Sequence, residues 1–182
     1  MFTSLAGMPT VAGRARAASG RRDASGRMPA MRLSRRSEYA LRALVDLARH
    51  HAAGPVPLAV LAGRNSLPPK FLEQILAGLK RAGVVRTTLG ARGGYALAVD
   101  PAEVTVGGVL RLVDGPLGPI ACVDPPSGER CTCPSPGECS VRSLMVEVRD
   151  AITAILDSET LADLAQRPGR ADRLVIAAAA AS

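Results

Sequence analysis

Three long stretches of the chain place hydrophobic residues at the three- and four-residue spacing of an amphipathic helix. The first follows Ser34, a residue type favoured as a helix N-cap. The second lies between a Pro-Pro pair at 68–69 and Gly83, positions typical of a helix start and end. The third runs from residue 140 to about residue 157. In chain order, the apolar positions of these predicted helices are Leu41, Leu44, Val45 and Ala48; Phe71, Leu72, Ile75, Leu76 and Leu79; and Val141, Leu144, Met145, Val148, Ile152 and Ile155.

A short helix and a hairpin are predicted on either side of the second long helix. Residues 57–64 have the pattern of a short helix, and residues 65–67 that of a tight turn. Two β-rich runs, 84–88 and 95–99, are joined by a Gly-rich basic connection at 89–94. This arrangement predicts a β-hairpin directly after the second long helix.

The C-terminal half is predicted to be helical. Thr105 is placed to cap a helix that runs through Asp114, and the stretch SETLADLA (158–165) predicts a last capped turn or two. An apolar stripe on a long helix of so small a chain often meets a second subunit, so a homodimer is expected. The fold class predicted is mainly α with a small β-hairpin wing: a winged helix-turn-helix followed by a long C-terminal dimerisation helix.

Composition divides the chain into segments. Residues 1–30 are rich in Ala, Gly, Arg and Ser without periodicity, which indicates a disordered extension, a misassigned start with Met31 as the first residue, or a transit peptide. The expected divisions are this extension at 1–30, a winged helix-turn-helix DNA-binding domain at 31–114, a cysteine-rich cluster-binding loop at 115–139, a dimerisation helix with a final short helix at 140–168, and a flexible tail at 169–182.

Composition also excludes some classes of protein. With two Phe, two Tyr and no Trp, the chain is a poor stacking platform for single-stranded nucleic acid. No run approaches the roughly 18 apolar residues of a membrane span, and the N-terminal segment lacks the apolar core of a secretory signal. We therefore expect no membrane partner and a cytoplasmic location, where thiols stay reduced.

Positive charge is concentrated in one segment. Residues 31–100 carry eleven basic and four acidic side chains, so this segment is the one expected to bind a polyanion. Lys70, Glu73 and Gln74 lie at the N-terminal end of the second long helix, which could enter a major groove about 12 Å wide. There Gln74 could pair with adenine, and Glu73 could accept a hydrogen bond from a cytosine amino group.

The hairpin tip is a second candidate contact with double-stranded DNA. Arg92 is flanked by small residues that keep the tip thin enough for a minor groove or a phosphate, namely Gly90, Gly93 and Gly94. The order helix, turn, helix and basic hairpin is that of a winged helix-turn-helix. The alternative is an ordinary helical bundle whose charged helix face is simply solvated.

Four stretches of the sequence resemble one family of regulators. They are MRLSRRSEYALRALVDLA (31–48), LPPKFLEQILAGLKRAGVV (67–85), ARGGYALA (91–98) and VTVGGVLRLVDG (104–115). Together they are similar to the winged helix-turn-helix transcriptional regulators of the IscR and NsrR type over about residues 31–165. The resemblance implies a bacterial homodimeric regulator, often a repressor of a double-stranded DNA operator. It also implies a wing at the GGY motif, which adds Tyr95 to the candidate DNA-binding residues.

All four cysteines fall within eighteen positions, at Cys122, Cys131, Cys133 and Cys139, among prolines and glycines. Such a loop can wrap an iron–sulfur cluster, and four thiolates also suffice for tetrahedral zinc, although only one close pair is present. A thiol–disulfide switch is a third use. A reactive cysteine needs a base, and the only histidines, His50 and His51, lie at the end of the first predicted helix. The sequence also has no phosphate-binding glycine loop or paired carboxylates, so we expect a regulator and not an enzyme.

The resemblance favours an iron–sulfur cluster, either 2Fe-2S or 4Fe-4S, that senses nitric oxide, redox or iron–sulfur status. Related regulators carry three cysteines at this place, which makes Cys131 the additional one. The nitric-oxide-sensitive members carry a carboxylate ligand at the position of Glu38, donated across the dimer. Arg42 and Arg142 stand where related members supply histidines. The alternatives are a solvated Glu38 at a helix start, with Cys131 completing the site, or a zinc-stapled, thiol-switch or cofactor-free repressor of the same fold.

Overall fold

The computed structural model describes residues 33–90, 92–123, 135 and 138–167. Within them lie six α-helices, one β-hairpin and three short 3₁₀ turns. The elements in chain order are α1 (Arg35–Arg49), α2 (Leu58–Asn65), α3 (Pro69–Arg81), β1 (Val85–Thr88), β2 (Gly94–Leu97), α4 (Val106–Asp114), α5 (Ser140–Ser158) and α6 (Leu161–Gln166), with 3₁₀ turns at His51–Ala53, Pro101–Glu103 and Ala121–Val123.

The predicted caps are present at the starts of α1 and α4. The Ser34 hydroxyl accepts a hydrogen bond from the Ser37 backbone N–H at 3.0 Å, and the Thr105 hydroxyl accepts one from Gly108 at 3.1 Å. Each bond satisfies a backbone donor that has no partner inside the helix. The local sequence therefore fixes where these two helices begin.

The helix-turn-helix consists of α2, a short turn and α3. The predicted helix at 57–64 begins and ends one residue later, because Pro57 serves as the N-cap. The chain then reverses at Ser66, whose backbone is left-handed with φ 52° and ψ 46°. Leu67, after the turn, is buried with the apolar face of α3. The turn is thus fixed on one side by backbone geometry and on the other by apolar contact.

The wing is the antiparallel hairpin of β1 and β2, with Val85 opposite Leu97 and Thr88 opposite Gly94. The strands are shorter than the predicted 84–88 and 95–99, although Ala98 still donates a backbone bond to Val84 at 2.9 Å. Val56 and Tyr95 exchange two backbone bonds of 2.8 Å each. The residues just before α2 therefore hold the wing against the helix-turn-helix.

The C-terminal helix α6 returns to the N-terminal helix and closes the core. Val106 donates to the Glu159 carbonyl at 2.8 Å, and Leu161 donates to the Val104 carbonyl at 2.9 Å. This pairing brings α6 against α1, where the Leu161 side chain is fully buried. The largest buried side chains of the shared core are Leu44, Leu47, Leu61, Leu72, Ile75, Leu76, Leu97, Val85, Val109 and Leu161.

The longest helix, α5, contrasts with this core because none of its residues is buried. Val141, Leu144 and Ile155 on its predicted apolar stripe are 60%, 54% and 65% exposed. Among the described residues, no helix combines the length and apolar character that a bilayer crossing requires.

Candidate nucleic-acid interface and cysteine site

The N-terminal half of α3 presents a polar surface. Lys70, Glu73 and Gln74 are all exposed, as predicted, and their three- and four-residue spacing puts them on one face. The opposite face of α3 is buried in the core. The far end of α3 is tied to the wing, because the Lys80 ammonium donates to the Thr87 hydroxyl at 2.7 Å.

Glu73 and Tyr95 lie close enough to interact electrically. Burial raises the pKa of the Tyr95 phenol, and the negative charge of Glu73 raises that pKa further. The structure therefore brings one predicted residue of α3 together with one predicted residue of the wing. A continuous surface across both elements is what a DNA-facing winged helix requires.

The two glycines of the GGY motif are required by packing. A Cβ atom on Gly94 would lie 2.4 Å from the backbone carbon and oxygen of Val56. A Cβ atom on Gly93 would lie 2.3 Å from the Thr88 carbonyl oxygen. Both positions thus have a reason to be glycine within the fold itself. Arg92 beside them is exposed, as is Leu89 on the other side of the tip.

A charged cluster that is not evident from the sequence pattern joins α1 to the end of α2. The Asp46 residue is only 8% exposed. Its carboxylate lies 2.9 Å from His50 Nδ1 and 3.5 Å from Arg64 Nη1, and it accepts a hydrogen bond from the Asn65 side-chain amide at 2.9 Å. Since Asn65 is the last residue of α2, this cluster fixes the start of the helix-turn-helix turn. The four-residue spacing of Asp46 and His50 was the available signal.

The two outer cysteines of the loop lie beside one arginine. Cys122 is half-buried in the 3₁₀ turn Ala121–Val123, and Cys139 is half-buried as the N-cap of α5. The Arg142 backbone N–H donates to Cys139 Sγ at 3.4 Å, and the Arg142 side chain donates through Nε to the Cys122 carbonyl at 3.3 Å. Cys131 and Cys133, also predicted as ligands, lie outside the described residues.

Glu38 lies apart from these cysteines. It is exposed in the first turn of α1, and its carboxylate is 3.6 Å from Arg42 Nη1. The Arg42 guanidinium also donates to the Asn65 backbone carbonyl. Across the described part of one chain, no three His, Cys, Asp or Glu side chains are grouped closely enough to hold a metal ion. A single chain therefore does not join Glu38 to Cys122 and Cys139.

Comparison with known sequences identifies the family. Residues 33–167 match the model of the Rrf2 family, described as iron-dependent transcriptional regulators. The chain is 35% identical to the HTH-type transcriptional regulator CymR of Bacillus subtilis over 135 residues, which are 74% of this chain and 90% of CymR. It is 33% identical to the HTH-type transcriptional regulator IscR of Serratia proteamaculans over 147 residues, 81% of this chain and 85% of IscR.

Solved structures give the same result. The structure of CymR, described as the global cysteine regulator of B. subtilis, matches with a TM-score of 0.65 at 34% identity and covers 76% of this chain and 98% of CymR. IscR of T. potens matches with a TM-score of 0.60 at 32% identity, over 76% of this chain and 93% of that one. These relatives are transcriptional regulators and not enzymes, and regulators of this family bind DNA. The predicted fold class and family resemblance are therefore confirmed: the chain belongs to the Rrf2 family of winged helix-turn-helix transcriptional regulators.

Proposed function

We propose that this regulator is a homodimeric repressor whose operator binding is controlled by an iron–sulfur cluster held in the cysteine loop. The observation that carries the proposal is the loop itself, in which four thiols fall within eighteen positions of a chain whose family model is described as iron-dependent. The proposal has three parts: DNA reading by α3 and the wing, pairing of two chains through α5, and control by the cysteines.

DNA reading is assigned to the polar face of α3 and the wing tip. Lys70, Glu73 and Gln74 are exposed on the face of α3 opposite its buried apolar side chains. Of these, Gln74 and Glu73 have the hydrogen-bonding groups that recognise base edges, whereas Lys70 and Arg92 suit phosphates. Positively charged neighbours in residues 31–100 give the long-range attraction for the duplex.

The assignment is tested by replacing one base-reading and one phosphate-binding side chain. Gln74→Ala should change preference among operator sequences by about 1–3 kcal/mol at one base position, while Arg92→Ala should weaken binding to all sequences and reduce the salt dependence. Binding isotherms against a randomised duplex library at two salt concentrations measure both effects. An unaltered sequence preference in Gln74→Ala would remove Gln74 from the base-reading set.

Pairing of two chains is assigned to α5. Its exposed apolar side chains, Val141, Leu144 and Ile155, follow helical spacing along a helix of 19 residues. Apolar surface of this extent is costly in water and is typical of an interface with a second copy. A two-fold dimer would present two copies of α3 to two half-sites of an operator.

The surroundings of the two described cysteines fit an anionic cluster. Both thiols are half-buried, which allows ligand access while limiting solvent. The backbone N–H of Arg142 already points at Cys139 Sγ, and its guanidinium adds positive charge beside a site whose thiolate ligands are negative. When bound, such a cluster supplies a centre that reacts with nitric oxide and oxidants. Cys133 is proposed as a third cysteine ligand, and Cys131 is the alternative to Glu38 for the remaining one.

Glu38 is proposed as a ligand supplied by the partner chain, because in its own chain it does not approach the cysteines. Its present contact is Arg42, which also donates to the Asn65 carbonyl at the end of α2. Withdrawing Glu38 from Arg42 would change the charge balance directly at the helix-turn-helix turn. Glu38 as a ligand would therefore connect the cluster to the DNA-reading face, a connection that the loop cysteines lack.

The cluster is tested by the absorption spectrum of full-length protein purified without oxygen. Broad bands between about 300 and 600 nm, with iron and sulfide in the sample, are expected from thiolate-ligated clusters. Glu38→Gln should then alter the spectrum and the DNA response. A colourless protein with stoichiometric zinc would contradict the cluster. An unaltered spectrum and DNA response in Glu38→Gln, together with loss of both in Cys131→Ala, would assign the remaining ligand to Cys131.

A cofactor-free thiol switch is the second candidate. It is favoured by the 35% identity to CymR, whose solved structure is described as that of a global cysteine regulator. In this alternative the cysteines respond directly by forming a disulfide or a sulfenic acid. Colourless, metal-free protein whose DNA affinity changes reversibly with dithiothreitol would support it over the cluster.

A further inference from the structure

Two arginines of α5 hold the 3₁₀ turn that carries Cys122. Arg142 and Arg149 are seven residues apart, two helical turns, and so lie on the same face of α5. Arg142 donates through Nε to the Cys122 carbonyl at 3.3 Å, and Arg149 donates to the next carbonyl, that of Val123. Arg149 is itself oriented by Asp150, whose carboxylate lies 2.7 Å from Arg149 Nη2. The turn is therefore bonded to α5 at two consecutive peptide groups.

The same turn also carries a buried apolar side chain. The Val123 side chain is 2% exposed, although it lies at the end of the described segment 92–123. A buried valine cannot leave its pocket without exposing apolar surface to water. With its carbonyls bonded to α5 and its valine buried, this turn holds Cys122 at a defined place beside α5.

Arg142 is the residue that contacts both ends of the loop. Its side chain bonds the Cys122 peptide, and its backbone N–H donates to Cys139 Sγ at 3.4 Å. The guanidinium remains protonated at any accessible pH and has no lone pair to offer a metal. Arg142 can therefore orient ligands and compensate their charge, but it cannot be a ligand.

We propose that Arg142 is the positioning residue of the cysteine site, holding the Cys122 and Cys139 ends of the loop at a fixed separation and adding positive charge next to the thiolates. This rests on the iron–sulfur cluster of the proposed function. Removing a hydrogen-bonding partner that orients a metal ligand typically weakens metal binding by about 10–100-fold. Removing a positive charge beside an anionic cluster also makes its reduction less favourable.

The experiment compares Arg142→Gln, Arg142→Lys and a matched control, Arg111→Gln, in full-length protein with its cluster. Arg111 pairs with Asp157 of α5 at 2.5 Å and is used because it loses an α5 contact without touching a described cysteine. The measurements are the rate of iron loss to a chelator without oxygen, the reduction potential, and the melting temperature of the cluster-free protein.

Arg142→Gln should lose iron about 10–100-fold faster than the wild type and have a more negative reduction potential, with an unaltered melting temperature. Arg142→Lys should recover the potential, because its charge is kept, but not the retention, because an ammonium lacks the planar geometry of the guanidinium. Arg111→Gln should match the wild type in iron loss and potential.

Three results would overturn the positioning role. One is wild-type iron retention in Arg142→Gln. A second is full recovery of both properties in Arg142→Lys, which would leave charge as the only contribution. An equally fast loss from Arg111→Gln would assign the effect to general stability of α5 and overturn it as well. A wild type without iron would instead contradict the proposed function, and that result is obtained before any variant is made.

Discussion

The helices α3 and α5 both carry an apolar stripe at helical spacing, yet the folded chain treats them in opposite ways. In α3, a helix of 13 residues, four apolar side chains are buried: Leu72, Ile75, Leu76 and Leu79. In α5, a helix of 19 residues, none is buried. The pattern of a sequence thus predicts a helix and its apolar face, but not whether the covering surface belongs to the same chain.

The surroundings of the two helices explain the difference. α3 is enclosed by α1, α2, α4 and the wing, so its apolar face meets four elements that precede or follow it closely. α5 is attached through Arg142 and Arg149 to the cysteine turn, and it packs on α4, where Asp157 pairs with Arg111. The helix-turn-helix packs its apolar face within one chain, whereas α5 leaves apolar side chains exposed.

The largest effect is expected from truncating one apolar residue in each helix. Leu76→Ala should lower the free energy of unfolding by about 2–5 kcal/mol, since Leu76 is fully buried. Leu144→Ala should change the stability of the single chain by less than about 0.5 kcal/mol, since Leu144 is 54% exposed, while weakening self-association. Urea unfolding measures the free energy of unfolding, and sedimentation at several protein concentrations measures self-association. Equal losses in dilute, monomeric protein would break the comparison between α3 and α5.

An intermediate effect is expected at the contact between the wing and the helix-turn-helix. Gly94→Ala places a Cβ atom 2.4 Å from the Val56 backbone, and such overpacking costs about 1–3 kcal/mol. Gly63→Ala in α2 is the matched control, because no atom lies within 4 Å of its Cβ position and alanine favours a helix by up to about 1 kcal/mol. Thermal melting of both variants measures the difference. A Gly94→Ala protein as stable as the wild type would mean that the wing is not held by Val56.

The smallest effect concerns the pKa of Tyr95, which joins the wing to α3. Because burial is the larger cause of the raised pKa and Glu73 the smaller, Glu73→Gln should lower that pKa only part of the way towards its ordinary value of 10.0. Because folding raises this pKa, the neutral phenol contributes to the stability of the fold at pH values below its ordinary pKa. This contribution is lost as the pH rises through the raised pKa of Tyr95 in the folded state.

Phenolate absorbance during an alkaline titration measures this shift, with Tyr39→Phe as the background so that Tyr95 is the tyrosine observed. A pKa that does not move in Glu73→Gln would show that the charge of Glu73 on α3 has no effect on Tyr95 of the wing. α3 and the wing would then be two separate surfaces instead of one.

Much of the fold is predictable from local signals. Helix starts at Ser34 and Thr105 were predicted from residue type, and both side chains make the capping bond. The polar face of α3 and the hairpin after it were also predicted, because spacing and turn residues act over a few positions. The family resemblance strengthened the same assignments through the GGY motif.

Contacts between distant segments were not predictable in this way. The Asp46 cluster and the bond from Arg142 to the Cys122 carbonyl both use charged residues on helix faces that would look merely solvated in the sequence. Gly94 must be glycine because the wing backbone there approaches that of Val56, 38 positions earlier. The sequence alone explains this glycine only as part of a thin tip that contacts DNA. Ligand assignments for Cys131, Cys133 and Glu38 stay predictions.

The closure of the core by α6 has a consequence for protein synthesis. Arg49 of α1 donates to the Ala165 carbonyl of α6 at 3.1 Å across 116 positions of sequence. At a translation rate of about 5–20 residues per second, α6 is made roughly 6–23 s after α1. During that interval the surface of α1 that later covers Leu161 has no partner from α6. All four cysteines are synthesised before α6. A nascent chain therefore contains its complete set of thiols before α6 can close the core.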